Sequence, residues 1–181
     1  MIQEFDYAIL DFIQETLRSK VLDEIMKFIT HLGDNGIFWI ILCIILLIIP
    51  KTRHIGFIGL LSLLFSLLIN DQIIKNIVTR ERPFVSREDI ELIIKAPSGY
   101  SFPSGHTSSS FGVAFVFSRF FKKQVAIPVF ILAGLIAFSR LYLYVHFPTD
   151  VLVGIFVGLL NSFLAVLVFK QGKKVYIKMK K

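Results

Sequence analysis

The sequence predicts an all-α integral membrane protein, a helical bundle of about five to six transmembrane helices preceded by one or two N-terminal amphipathic helices. Three observations carry that expectation. Of the 181 residues, 55% are hydrophobic and only 18% are charged, against about 25% charge in an ordinary soluble domain. The mean hydropathy is +0.71, more apolar surface than a water-soluble fold of this length can bury, so the excess must face lipid. The apolar residues also fall into runs, several of them close to the ~20 residues that a bilayer crossing needs. A soluble globular enzyme, a disordered chain and a disulfide scaffold are excluded. Cys43 is the single cysteine, which leaves no intrachain disulfide and no cysteine-based metal site.

Residues 1–35 read as an amphipathic segment. Phe5, Ala8, Ile9, Phe12, Ile13, Leu17 and Val21 recur at helical spacing, followed by Leu22, Ile25, Met26, Ile29 and Leu32. Glu4, Asp6, Asp11, Glu15, Arg18, Asp23, Glu24 and Lys27 take the other positions. A true span with so many charges would be costly, so the segment should lie at the interface or pack on the bundle. Its first residues hold neither a basic region nor an apolar core, and no cleaved signal peptide is expected.

Residues 36–170 read as the membrane core. Four runs, 55–74, 104–121, 125–145 and 150–169, are long enough to span. A fifth, 37–49, is shorter and stops at Pro50; Phe38 and Trp39 read as an interfacial anchor at one end, with Lys51 and Arg53 at the other. Tyr100, Tyr142 and Tyr144 read as interfacial aromatics. The one long loop, 84–102, contains the turn residues Pro97, Ser98 and Gly99. Residues 171–181 form a basic tail.

Charge gives the orientation. Lys51 and Arg53, the cluster at Arg119, Lys122 and Lys123, and the six lysines from Lys170 onward fall on one side with no acid among them. The other side holds residues 1–35, with seven acids against three bases, and residues 75–95, with four against five. The positive-inside rule makes the basic side cytoplasmic. The expectation is therefore a multi-pass protein of the cell membrane, N-terminus outside, C-terminus cytoplasmic and both long hydrophilic stretches, 75–103 and the 146–149 turn, facing outward. The basic tail is a topology and anionic-lipid signal. Nucleic-acid binding would want bases and aromatics interleaved on a soluble face, so no nucleic-acid partner is expected; oligomeric state is not readable.

Ionisable groups at the ends of spans are expensive and need a reason. Here they gather at the outer ends: Lys75 and Arg82 after one span, His106 at the start of the next, Arg140 ~22 Å along the third at the usual helix rise, then His146 and Asp150. Singly, each has a plain reading. Lys75 can snorkel, Asp71 can balance Lys75 at four-residue spacing, Ser104 can cap a helix, and Asp150 suits a helix start. His31 and His54 lie outside the set and read as structural. Arg140 is harder to set aside, because an arginine within an apolar span wants an anion.

Jointly, the set has one economical chemistry. Lys75, Arg82 and Arg140 supply cationic donors, and the helix start at Ser104, Gly105 and His106 supplies free amides and the positive dipole end, as a phosphate site requires. Two histidines can divide phosphoryl transfer, one attacking phosphorus and one protonating the leaving oxygen. A carboxylate beside the nucleophilic ring fixes its tautomer. No cluster of acids is available for magnesium, so the cations must neutralise charge, and no cofactor is expected.

These residues also form motifs. Lys75 with Arg82-Pro83 seven residues on, Pro103-Ser104-Gly105-His106, and Ser139-Arg140 followed by His146 and Asp150 together resemble the three-part signature of the type 2 phosphatidic acid phosphatase/haloperoxidase superfamily. The resemblance covers Lys75 to Asp150 with every part present and in order. It implies a metal-independent membrane phosphatase with a helical core. His146 would form a phosphohistidine, Asp150 would orient it, and His106 would be the general acid. Lys75, Arg82, Ser104, Gly105 and Arg140 would hold the phosphate. Membrane members of that family usually have six spans, and the amphipathic segment here stands where the first would be. The lipid-facing composition argues for the phosphatase branch over the soluble haloperoxidases.

Within that family the outward site suits a lipid phosphate or diphosphate, undecaprenyl diphosphate first, then phosphatidylglycerophosphate and phosphatidic acid. Two other classes compete. A lipid-phosphate carrier would need the cations but not His106, His146 and Asp150 together. A metallohydrolase using those three as ligands would suffer repulsion from the adjacent lysine and arginines.

Overall fold

The protein is described here by a computed structural model covering residues 2–87 and 90–180. The tips of the N-terminal segment and of the basic tail, and Glu88 and Asp89 in the long loop, lie outside the described residues. The fold is all-helical. Helices α1 (Ile2–Leu17) and α2 (Lys20–His31) form the amphipathic segment, separated where Ser19 caps α2 by accepting from the Leu22 amide. Then come α3 (Ile37–Ile48), α4 (Arg53–Phe65), a π-helical stretch Ser66–Ile74 that runs into α5 (Lys75–Val78), α6 (Gly105–Phe120), α7 (Lys123–Tyr142) and α8 (Pro148–Met179).

Among the described residues, the helices beginning at Arg53, Lys123 and Pro148 are long and apolar enough to cross a bilayer. The pair Lys20–His31 and Asp34–Ile48, bent by 43°, makes a fourth if taken as one span. The expected span over 104–121 is the 16-residue α6. The basic tail is not a separate segment: α8 continues without a break through Lys170, Lys173 and Lys174 to Met179.

The bundle is organised around α6, which packs against α4, α7 and α8. Its closest approach is to α8, where Gly112, Gly154 and Gly158 face the opposite backbone. A Cβ on Gly158 would come within 2.8 Å of the Ser108 carbonyl oxygen, and one on Gly154 within 3.0 Å of that of Ser104. Small residues let membrane helices touch in this way. The contact sets the start of α6 beside the start of α8, where the Ser104 amide donates to the Asp150 carbonyl at 3.1 Å.

The aromatic anchors expected from the sequence are partly core instead. Trp39 is fully buried, and its Nε1 donates to Ser110 Oγ of α6 at 2.9 Å. Tyr142 and Tyr144 are also buried: Tyr142 donates to Asp23 of α2 at 2.7 Å and Tyr144 to Asp11 of α1 at 2.6 Å, so both hydroxyls pin the N-terminal helices to the bundle. Those helices are turned with carboxylates inward. Asp6, Leu10 and Ile13 are buried while Phe5 and Phe12 point outward, and on α2 Val21, Ile25 and Phe28 do the same. An apolar stripe facing away from the bundle is what a helix seated in lipid presents.

Candidate active site

The ends of α5, α6 and α7 and the chain leading into α8 surround a cavity of about 770 Å³, lined by Lys75, Arg82, Gly105, His106, Arg140 and His146. Six of the eight residues expected to form the site thus share one cavity, including both histidines. Ser104 and Asp150 stand behind them, fully buried. One flank is apolar, made by Ile40 of α3 and Leu60, Leu63, Leu64 and Leu67 along α4 and the π-helical stretch.

His146 is aimed by a tight turn after α7. The Val145 and His146 amides both donate to the Arg140 carbonyl, at 3.1 and 3.3 Å, and Tyr144 takes a left-handed backbone with φ 57°. A tyrosine accepts that conformation only where its surroundings enforce it, and its hydroxyl bond to Asp11 is one such restraint. Arg82 Nη1 donates to the Val145 carbonyl at 2.9 Å and meets His146 Nε2 at 3.3 Å. A guanidinium can only donate, so Nε2 carries the lone pair and Nδ1 carries the proton. Nδ1 faces Asp150 Oδ2 at 3.5 Å. Burial, and then the positive charge of Arg82, Arg140 and Lys75, holds the imidazole well below its ordinary range. That favours the neutral ring, whose Nε2 lone pair meets the Arg82 guanidinium at the wall of the cavity.

Asp150 is fixed more firmly than a helix-start acid needs. Its Oδ2 accepts from the Phe147 amide at 2.8 Å and from the Ser101 hydroxyl, and its Oδ1 accepts from Arg80 Nη1 at 2.7 Å. Arg80 also donates to Thr149 Oγ1 and to Asp6 Oδ2, each at 2.7 Å, and lies 3.8 Å over the Phe147 ring. Asp6, fully buried, further accepts from the Thr149 amide and hydroxyl. A carboxylate from α1 thus ends a chain running through Arg80 to Asp150 and His146. Arg80, Asp6 and Ser101 were missed by the sequence reading. The only sequence hint to Arg80 is its place between Lys75 and Arg82; Asp6 looked like one more polar-face acid.

The cations differ in how far they are spent. Arg82 is engaged by the carbonyls of Ser98, Gly99 and Val145, so it ties the long loop to the His146 turn as well as lining the cavity. Lys75 pairs with Asp71 at 2.7 Å, as its spacing suggested, and Asp71 lines the same cavity. Arg140 donates through Nη1 to Thr30 Oγ1 of α2, but its Nε is buried without a hydrogen-bond partner. Such orphaned donors are costly in a folded protein, and a cavity-lining guanidinium left short of an acceptor calls for an anion. The Ser104 hydroxyl does not line the cavity: it caps α6, accepting from the Thr107 hydroxyl at 2.9 Å and from the Thr107 amide at 3.4 Å. That capping leaves the Gly105 and His106 amides at the open end of the helix. A Cβ on Gly105 would come within 3.0 Å of Asp71 Oδ1, so glycine lets this corner close.

His106 has a partner that the sequence reading also missed. Its Nε2 lies 3.0 Å from Asp34 Oδ1, in the turn between α2 and α3, and Asp34 Oδ2 lies 2.7 Å from His31 Nδ1. Among the described residues, no group of three or more His, Cys, Asp or Glu is gathered to hold a metal ion.

A helical membrane bundle that gathers two histidines, three cations and a helix start around one cavity has the constitution of a phosphate-handling membrane protein. The chain belongs to the PAP2 superfamily, which it matches over residues 56–174. It is 31% identical over 151 residues to an undecaprenyl-diphosphatase of Sulfolobus acidocaldarius, covering 83% of this chain and 72% of the relative. It is 35% identical over 164 residues to phosphatidylglycerophosphatase B of Bacillus subtilis, covering 82% and 75% respectively. The crystal structure of Aquifex aeolicus LpxE superposes with a TM-score of 0.77 at 28% identity, covering 88% of this chain and 93% of that one.

Proposed function

We propose that the protein is a membrane lipid phosphatase that hydrolyses a lipid phosphate or diphosphate through a phosphohistidine on His146, with undecaprenyl diphosphate as the first-ranked substrate. The observation that carries this reading is the Arg140 guanidinium, buried with Nε unpartnered and lining the cavity that His106 and His146 share. That is an anion site flanked by a nucleophile and an acid. The apolar flank beside it suits a lipid tail, and the family and the lipid phosphatases among its relatives support the same substrate class.

In this mechanism Arg140, Lys75, Arg82 and the amides at the α6 start draw in the phosphate and neutralise the charge that builds on its oxygens. His146 Nε2 attacks phosphorus in line. The bond from phosphorus to the leaving oxygen breaks as His106 gives that oxygen a proton. Asp150, 3.5 Å from Nδ1 and joined to it through the Ser101 hydroxyl, steadies the imidazolium. Water then enters, gives its proton to His106 and attacks phosphorus. The P–N bond breaks, and inorganic phosphate leaves.

The positive-inside count supports an outward-facing site with the C-terminus cytoplasmic. The similarity to phosphatidylglycerophosphatase B supports phosphatidylglycerophosphate as the second substrate, with phosphatidic acid third. The test is phosphate release by the purified protein from these three lipids in detergent, with chelator present. Release that requires His146 is expected. Binding of the lipids without any release would make the protein a carrier, and release that stops with chelator would make it a metallohydrolase.

A further inference from the structure

The turn between α2 and α3, Gly33-Asp34-Asn35-Gly36, is shaped around the imidazole of His106. Asp34 Oδ1 meets Nε2 at 3.0 Å. Gly33 is buried against the ring, where a Cβ would lie 3.2 Å from His106 Cγ and closer still to Cδ2. Asn35 and Gly36 then take left-handed backbones, φ 50° and 66°. Asparagine and glycine are the residues that take this region most readily, and the turn they make delivers a carboxylate to a ring nitrogen. The other oxygen of Asp34 meets His31, which is exposed. On this side of His106 and Arg140 a second cavity of about 420 Å³ is lined by His31, Asp34, Lys95 and the same His106 and Arg140.

We infer that Asp34 is a positioning residue for His106: it accepts from Nε2–H, fixes the ring, and leaves Nδ1 as the nitrogen that gives the proton to the leaving oxygen. Among the described residues Nδ1 has no hydrogen-bond partner, whereas Nε2 is committed to the carboxylate. The carboxylate also favours the imidazolium that a general acid must be. It works against the positive charge around the ring, Arg140 from α7 and Lys75 from α5, with Arg82 and His146 lining the same cavity and Lys95 across the second; Asp71 and His31 are the other ionisable groups that line the two cavities. His31 and the second cavity then connect the Asp34–His106 pair to water on the side away from the apolar flank.

This inference rests on the phosphatase reading, and the test separates the two. The kcat/KM covers steps up to departure of the leaving group, so it isolates the protonation that His106 performs. Two probes are used: phosphatidic acid, whose leaving group is an alkoxide that must be protonated, and p-nitrophenyl phosphate, whose phenolate leaves unaided. Asp34→Asn should lower kcat/KM on phosphatidic acid by about 10²-fold and leave p-nitrophenyl phosphate within about twofold, and the basic limb of its pH profile should move to lower pH. The sign follows because loss of the carboxylate makes the imidazolium give up its proton sooner. Asp34→Glu should restore most of the phosphatidic acid rate. An equal loss on both esters, or no loss on either, overturns the role of Asp34 while the phosphatase stands. A wild-type protein that releases phosphate from neither ester, nor from undecaprenyl diphosphate or phosphatidylglycerophosphate, overturns the phosphatase and this inference with it.

Discussion

His146 and His106 face one cavity but are held in opposite ways. The His146 side chain is 2% exposed, whereas that of His106 is 20% exposed. Around His146 every neighbour is itself tied: Arg82 to loop carbonyls, Asp150 to Ser101, Phe147 and Arg80, and Arg80 to Asp6 on α1. Around His106 there is one carboxylate on a short turn, and beyond it exposed His31 and a second cavity. The difference matches the two jobs. A nucleophile must meet phosphorus along one line and benefits from a rigid, dry setting. A group that gives up a proton and later takes one from water must stay in communication with solvent.

The sharpest way to break the comparison is to remove the nucleophile. His146→Ala should abolish phosphate release, by at least about 10⁴-fold, from every substrate alike, while size-exclusion and thermal unfolding in detergent stay close to wild type. Next comes the acid. His106→Asn should cost about 10³-fold on an alkyl phosphate and far less, in kcat/KM, on an ester with an acidic leaving group, a selectivity that His146→Ala must not show. Full activity of either variant on the alkyl ester contradicts the division of labour.

The cage around His146 should also carry stability, and the open side should not. Asp6→Ala removes the buried partner of Arg80 and Thr149 and should lower unfolding free energy by about 3 kcal/mol, with a fall in kcat because Asp150 loses its anchored neighbour. His31→Ala, on the exposed side, should change stability by less than about 0.5 kcal/mol. Equal effects on stability would erase the distinction. The smallest effect expected is on pH. Because burial and nearby cations keep His146 below its ordinary range, it loses its lone pair only at acidity well beyond ~6.5, the usual imidazole value. With the substrate's own titration separated, kcat/KM should therefore stay flat as pH falls through that value, and a limb there assigned to His146 would contradict the buried cage.

The parts of this arrangement that were legible in the sequence are those written in adjacent residues. Apolar runs marked the helices of the bundle, and Lys75, Arg82, Ser104, Gly105, His106, Arg140, His146 and Asp150 announced themselves by type and spacing. What sequence order could not carry was the pairing of distant groups. Asp6 meets Thr149, 143 positions away, and Asp34 meets His106, 72 away. Each of these acids sits where an amphipathic segment or a turn would hold a solvated acid anyway, so its type alone did not distinguish it. Trp39 shows the same limit from the apolar side: a tryptophan at the head of a membrane helix suits either an interfacial belt or a core with a hydroxyl for its N–H, and only packing against Ser110 decides. Gly33 and Gly36 flanking Asp34 were the one local sign of a turn built for a purpose. The π-helical stretch at Ser66–Ile74, which sets Asn70 against the Pro103 carbonyl at the head of α6, has no such local sign.

The central claim is a covalent bond between phosphorus and His146, and it can be caught directly. In His106→Asn, p-nitrophenyl phosphate should still transfer its phosphoryl group, because its phenolate needs no proton, while attack by water is slowed for want of a base. Peptide mass spectrometry after an alkaline quench should then find one phosphoryl group on His146, stable to alkali and lost in acid. Release of p-nitrophenol with His146 unmodified, or with the phosphoryl group on another residue, would contradict the account.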